Sequence, residues 1–372
     1  MMSRNFWPVH DRHDWKSVQM SLLAFLILVL CACRPAATPT AESSASALPA
    51  IEALPEGWTK IEPGGETRCA HDTPYAYWVR PGSTNNLFVY FQGGGGCSDA
   101  ETCRQSENYK GEVTDNDNPD FTIGGIFDLN NPANPFNDYT MLFVPYCTGD
   151  VHAGNRVVTY TPDSGEPFDI YHRGFVNASA AFEWVYANFE QPDSIFMSGC
   201  SAGALGSMLY TPHVIRHYPE TAVTQLGDSG GGLVLHIEWD IADDYDAGQY
   251  FPDWIPGMQE EIAKTFTVAK YYNALAKYYP DYTFAQYNSA ADKIQTRYYV
   301  ADGGSADDYP ATLQASLDAV AEHADNFRFY TAQGDHHCVL KTTKFYTEEN
   351  NGIRVRDWVA DLANQINVEN VQ

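Results

Sequence analysis

Basic residues are scarce in this sequence. It has 22 Lys and Arg against 48 Asp and Glu over 372 residues, a formal charge of −26. Phosphates would be repelled, which excludes nucleic acid as a partner and weighs against non-specific adhesion to a polyanionic polysaccharide. After residue 33 there is no apolar run long enough to span a bilayer. No internal repeat marks a solenoid. No Cys-x-x-Cys spacing supports reading the cysteines as a metal site. What is present is a 44% hydrophobic composition. That makes the chain globular, and long enough for one large domain with a sizeable core.

The N-terminus has the form of an export signal. Arg4, Arg12 and Lys16 precede an apolar stretch over 20–30, which ends Leu30-Cys31-Ala32-Cys33. This ending is similar to a bacterial lipobox, with cleavage before Cys33 and a lipid on its sulfur. Residues 34–50 are rich in Ala, Ser, Thr and Pro, as a flexible tether is. The expected organisation is a signal peptide over 1–32, a lipidated Cys33 with its tether to 54, and one domain over 55–372. That protein is an exported bacterial lipoprotein of the cell envelope or exterior, monomeric, touching membrane only through its lipid.

The most informative segment is Phe196-Met-Ser-Gly-Cys-Ser-Ala-Gly-Ala204. A short apolar run over 192–197 reads as a buried strand, and Leu205, Met208 and Leu209 follow at helical spacing. Between them lies Gly199-x-Ser201-x-Gly203, the nucleophile-elbow pattern of serine hydrolases. Glycines belong there because the turn is tight and a Cβ on either side would crowd it. The fold expected with it is α/β, a mainly parallel sheet flanked by helices.

A serine nucleophile needs a base. Asn326–Thr331 alternates like a strand, and Gly334-Asp-His-His-Cys338 is the loop after it, where this fold places its histidine. His213 and His217 fall on the helix behind the serine and read as packing or surface residues. Six cysteines follow Cys33, an even number that suits disulfides in an exported protein. Cys200 precedes the candidate nucleophile and Cys338 follows His337. If Ser201 and His337 work together their neighbours must lie close, which pairs Cys200 with Cys338 and favours His337 over His336. Cys97 and Cys103 are near enough to close a small loop, leaving Cys69 with Cys147 by elimination.

The acid partner is not decided by spacing, which leaves Asp228, Asp292, Asp302, Asp307 and Asp308 open. Asp302 follows Thr296–Val300, which reads as a strand. The oxyanion hole needs two backbone N–H donors. Ala202 after the nucleophile supplies one. The loop Gln92-Gly-Gly-Gly-Gly-Cys97, after the strand-like Leu87–Phe91, supplies the other through Gly94 and Gly95. No Lys-Ser or Lys-Thr follows these glycines, which argues against a phosphate cradle. Such chemistry calls for no metal and no cofactor.

Several blocks together resemble the pectin acetylesterase/Notum carboxylesterases over roughly residues 55–370. They are Phe91–Cys97, Asn134–Gly154, Gly199-Cys-Ser-Ala-Gly203, Asn288-Ser-Ala-Ala-Asp292-Lys-Ile-Gln295 and His337-Cys338. The resemblance implies an α/β-hydrolase fold and removal of acyl groups, acetyl foremost, from the hydroxyls of a polysaccharide or other O-acylated substrate. It also picks Asp292 as the acid beside Ser201 and His337. One departure is that family members often carry a tryptophan in the glycine loop, where this chain has Gly95 and Gly96. The Cys-Ser, Asp and His-Cys set is also similar to the bridged triad of tannases and fungal feruloyl esterases. A polyester depolymerase and a non-catalytic glycan-binding lipoprotein are the other classes. Residues 233–285, with Trp239, Tyr245, Tyr250, Phe251, Trp254 and Met258, read as a cap over the site whose aromatics line a pocket or form the cap's own core.

Overall fold

The computed structural model describes residues 48–372, apart from 123, 234, 236 and 237. The signal, Cys33 and most of the tether lie outside the described residues. The chain runs β1 (Thr59–Ile61), β2 (Tyr77–Arg80), β3 (Asn86–Phe91), α1 (Ala100–Arg104), β4 (Thr140–Val144), β5 (Arg156–Tyr160), β6 (Phe168–His172), α2 (Gly174–Asn188), β7 (Ser194–Cys200) and α3 (Ala202–His217). It continues through β8 (Ala222–Asp228), α4 (Ile241–Tyr245), α5 (Val268–Tyr278), β9 (Thr283–Ser289), α6 (Lys293–Ala301), α7 (Tyr309–Ala321), β10 (Phe327–Ala332) and α8 (Val355–Ala363).

Eight strands form one sheet in the order β1-β2-β4-β3-β7-β8-β9-β10. β1–β2 and β2–β4 pair antiparallel, and every later pair is parallel. The parallel strands are apolar on both sides because both faces are covered. Leu87, Val89 and Phe91 of β3 enter one core with Ile195 and Met197. Phe88 and Tyr90 enter a second core with Phe196 and Trp358. The period of two therefore divides each strand between two layers.

All the described parallel strands point the same way, so their C-terminal ends gather on one edge. β3, β7, β9 and β10 deliver the glycine loop, Ser201, Asp292 and the His336-His337 loop to that edge, where such sheets place their ligands.

Two expectations are corrected. Thr296–Val300 is helical, part of α6, not a strand. Its β-branched and aromatic residues mimic a strand, but the Asp292 side chain caps the N-terminus and Gln295 and Tyr299 bury one helical face. The cap is also shorter than 233–285. Val268, Tyr271, Tyr272, Leu275 and Ala276 repeat at helical spacing and sink α5 into the main core, where it packs on α7 and β9. Residues 283–285 already belong to β9. The part that roofs the site ends near Thr267.

Candidate active site

Ser201 sits between β7 and α3 with φ 58° and ψ −123°, a conformation L-residues rarely hold. The glycines on either side are there for space. A Cβ on Gly199 would fall 2.1 Å from Gly203 O, and one on Gly203 would fall 2.1 Å from Phe91 O. The Ser201 N–H donates to Asp228 O at 2.9 Å, which pins the turn to β8. The serine is 6% exposed and opens on a cavity of about 500 Å³.

His337 and Asp292 meet, with Nδ1 and Oδ2 2.7 Å apart. Asp292 is fully buried. Its Oδ1 accepts the N–H groups of Ile294 and Gln295 at 2.9 and 3.1 Å, as a helix cap does. Its Oδ2 is shared between His337 and the Gln295 side-chain amide at 3.1 Å. With Nδ1 engaged, Nε2 is the ring nitrogen left to act as a base.

The three expected disulfides are present: Cys69–Cys147, Cys97–Cys103 and Cys200–Cys338. The last joins the residue before Ser201 to the residue after His337, across 138 positions of sequence, with Cα atoms 5.7 Å apart. A ring nitrogen of His337 lies within 4.8 Å of both sulfurs.

Asp228 does not take the place of Asp292. Its carboxylate accepts N–H groups from the loop that carries His337: Val339 at 3.1 and 3.0 Å to its two oxygens, and Leu340 at 2.9 Å. Ser229 donates to it at 3.1 Å and accepts the Cys338 N–H at 2.9 Å. One strand end thus holds the serine through its carbonyl and the histidine loop through its carboxylate. Burial pushes this carboxyl up to about 6, against the pull of the Leu340 and Val339 N–H bonds and of nearby His337. Spacing leaves Asp228 as one of five candidate acids. Its contact with a loop over a hundred residues later has no local signal. Gln295 was also passed over, although it stands one helical turn after Asp292.

The other candidates fall elsewhere. His336 bonds through Nε2 to Tyr287 Oη at 2.7 Å, and burial lowers its pKa. Asp302 closes α6 and lines the cavity, while Asp307 and Asp308 are exposed. His213 and His217 stand four apart on α3 but serve different neighbours. His213 lies 2.9 Å from Tyr250 O, and His217 stacks on Tyr186.

The glycine loop reaches Ser201, where a Cβ on Gly93 would fall 3.0 Å from the serine Cβ. It is braced by Lys110 N–H to Gly94 O at 2.8 Å and Gly96 N–H to Asn108 O at 3.3 Å. This bridge uses the Gly94 carbonyl and the Gly96 N–H, so the N–H groups of Gly94 and Gly95 take no part in it. Gly95 has φ 77°, and a Cβ there would strike Asn108 O. Ala202 begins α3, where a first-turn N–H has no intrahelical acceptor.

The cavity walls are Gly95, Ala202 and Leu205 below, with Leu233, Trp239 and Tyr245 from the cap. Of the six large cap residues, only Trp239 and Tyr245 line it. Phe251 and Met258 are buried in the main core, and Trp254 carries Arg216 over its face. Tyr250 lines a separate hollow of about 420 Å³ against Phe175.

The chain is similar to known proteins in sequence and in fold. The Pectinacetylesterase family profile matches residues 63–302, which includes the glycine loop, Ser201 and Asp292 and stops before His337. Pectin acetylesterase 11 of Arabidopsis thaliana is 28% identical over 172 residues, 44% of this chain and 42% of that protein. The palmitoleoyl-protein carboxylesterase NOTUM of Schmidtea mediterranea is 25% identical over 150 residues, 38% of this chain and 27% of that protein. The aligned part thus spans under half the length of these relatives. A crystal structure of the Wnt deacylase Notum from Drosophila superposes with a TM-score of 0.63 at 14% identity, over 85% of this chain and 96% of that one. That likeness shows the α/β-hydrolase fold. With a profile match over most of its length, the chain belongs to the pectinacetylesterase family.

Proposed function

We propose that this protein is a serine carboxylesterase that removes acyl groups, acetyl foremost, from hydroxyls of a polysaccharide or another O-acylated substrate. The observation that carries the reading is the buried Asp292–His337 pair, tied by Cys200–Cys338 to a serine held at positive φ. Family membership supports the same chemistry.

In this mechanism Ser201 Oγ attacks the ester carbonyl while His337 Nε2 takes its proton. Asp292 holds the ring by Nδ1 and stabilises the imidazolium. The N–H groups of Ala202, Gly94 and Gly95 receive the oxyanion. His337 protonates the departing alcohol, and water then releases the acid by the reverse route. Trp239 and Tyr245 roof the acyl-enzyme and keep bulk water off it. A lipid on Cys33 would hold this domain at a membrane surface through a tether that ends before Pro49, since Trp184 Nε1–H donates to Pro49 O at 2.7 Å and the Ile51 N–H to Asn188 Oδ1 at 2.8 Å.

A fluorophosphonate probe tests the reading. Labelling should map to Ser201, with p-nitrophenyl acetate turned over and the label lost in Ser201→Ala. A folded protein that takes no label would be a binding module instead.

A further inference from the structure

Val151 lines the cavity beside Ser201 and Leu205, yet its backbone is left-handed, with φ 52°. A β-branched residue is at its least comfortable there, and a glycine would make the same turn without strain. Several contacts impose the conformation. The Val151 N–H donates to Tyr146 Oη at 2.9 Å. The next residue, His152, is also left-handed, with φ 64°. Its N–H donates to Asp150 Oδ1 at 3.1 Å, and its ring Nε2 lies 2.9 Å from Gln92 O, where the glycine loop begins. Asp150 itself is fully buried and takes the Gly174 N–H at 2.7 Å. Val151 also belongs to the main hydrophobic core, and its burial offsets part of that strain. The side chain is 7% exposed, and it is kept at a cost in strain.

The cavity is divided in chemistry. Its lining includes apolar side chains, among them Val151, Leu205 and Leu233, and polar ones, among them Ser98, Asp99 and Thr102. An acyl chain belongs against the first and a hydroxylated alcohol against the second. Leu205 stands one turn of α3 beyond Ser201, so it rises beside the nucleophile. Val151 and Leu205 both line the cavity onto which Ser201 opens.

We propose that Val151 is the specificity-determining residue of this site. Its isopropyl group closes the acyl end of the cavity and restricts the enzyme to short acyl groups. The proposal rests on Ser201 being the nucleophile.

The test is kcat/KM for p-nitrophenyl acetate, butyrate and octanoate with the wild type, Val151→Ala and Val151→Gly. The wild type should favour acetate. Both variants should raise the octanoate-to-acetate ratio about tenfold or more, the scale on which a pocket reads methylenes. Thermal melting adds a second readout. Val151→Gly should lower the midpoint less than Leu205→Ala does, because relief of the positive φ offsets part of the lost burial. An unchanged ratio in variants whose Ser201 still takes a fluorophosphonate label overturns the proposal. So does a wild type that prefers octanoate, or a Val151→Gly midpoint that falls as far as that of Leu205→Ala. If Val151→Gly does not fold, Val151→Ala decides the ratio. A folded wild type that turns over no ester and takes no label defeats the esterase reading itself, a result distinct from any of these.

Discussion

The floor and the roof of the cavity are held by different forces. The floor is the row of strand ends at β7, β8, β9 and β10. There a disulfide, a carboxylate that takes backbone N–H groups and a capped helix fix Ser201, His337 and Asp292. The roof is the segment between β8 and α5. It holds by the paired backbones of Trp239 and Phe266, by Trp239 Nε1–H to Asp244 Oδ2 at 2.6 Å, and by Tyr245 Oη–H to Cys97 O at 2.8 Å. Among its described residues the α-helix, α4, has five residues. Buried polar networks specify one geometry and fail steeply when broken. Beyond those bonds the roof rests on the packing of Tyr245, Phe251 and Phe266 in the core, which tolerates volume-conserving exchange. A floor built for a fixed reaction beneath a roof open to variation lets substrate choice change while the chemistry stays.

The sharpest way to break this contrast is at the acid. Asp292→Asn should lower kcat by about 10³–10⁴-fold by misorienting the imidazole, with little change in KM. Asp228→Asn keeps an acceptor for the loop and should cost far less. Equal losses from the two, measured by steady-state kinetics, would mean that the acid had been misassigned.

Stability comes next. Replacing Cys200 and Cys338 by serine should cost about 2–5 kcal/mol in denaturant unfolding, since the bridge closes a long loop. A Cys97–Cys103 pair replaced in the same way closes a loop of six positions and should cost less. A reversed order would break the idea that the floor is cross-braced.

Asp228 also predicts a dependence on pH. Its folded carboxyl is raised to about 6, above the ordinary carboxylate value. The folded state therefore binds this proton more readily than the unfolded one. Its stabilising contribution is complete below the unfolded pKa and is lost as pH rises through about 6. Asparagine does not titrate, so Asp228→Asn should gain on the wild type in urea midpoint between pH 4 and 7. A flat difference would place the proton elsewhere.

The smallest effect belongs to the roof. Trp239→Phe removes the hydrogen bond to Asp244 and should change stability by about 1 kcal/mol. It should alter KM more than kcat. A collapse of kcat would make the roof part of the reaction machinery.

Much of the floor was legible because its constraints are local. Gly199 and Gly203 are required by close approach, and Cys200 and Cys338 flank the residues they join. The glycine loop was legible as a run that permits close approach, and a Cβ on Gly93 would fall 2.3 Å from Cys200 O. Asp292 was not legible from spacing, because a carboxylate that caps a helix and one that holds a histidine look alike in sequence. Here a single side chain does both, one oxygen for each. Thr296–Val300 misled because composition was weighed above the capping residue before it. The roof was the least legible. Its aromatic residues divide between pocket, main core and a separate hollow, and nothing in their spacing sorts them. Val151 was invisible as a strained residue, since backbone conformation at one position is imposed by Tyr146, Asp150 and Gln92 together.

The bridge between Cys200 and Cys338 has a consequence for when the protein becomes competent. Its two thiols are separated by 138 positions and join only where thiols oxidise. A chain still in a reducing interior carries the serine and the histidine on segments with no covalent tie. The brace between Ser201 and His337 is therefore acquired only where those two thiols are oxidised.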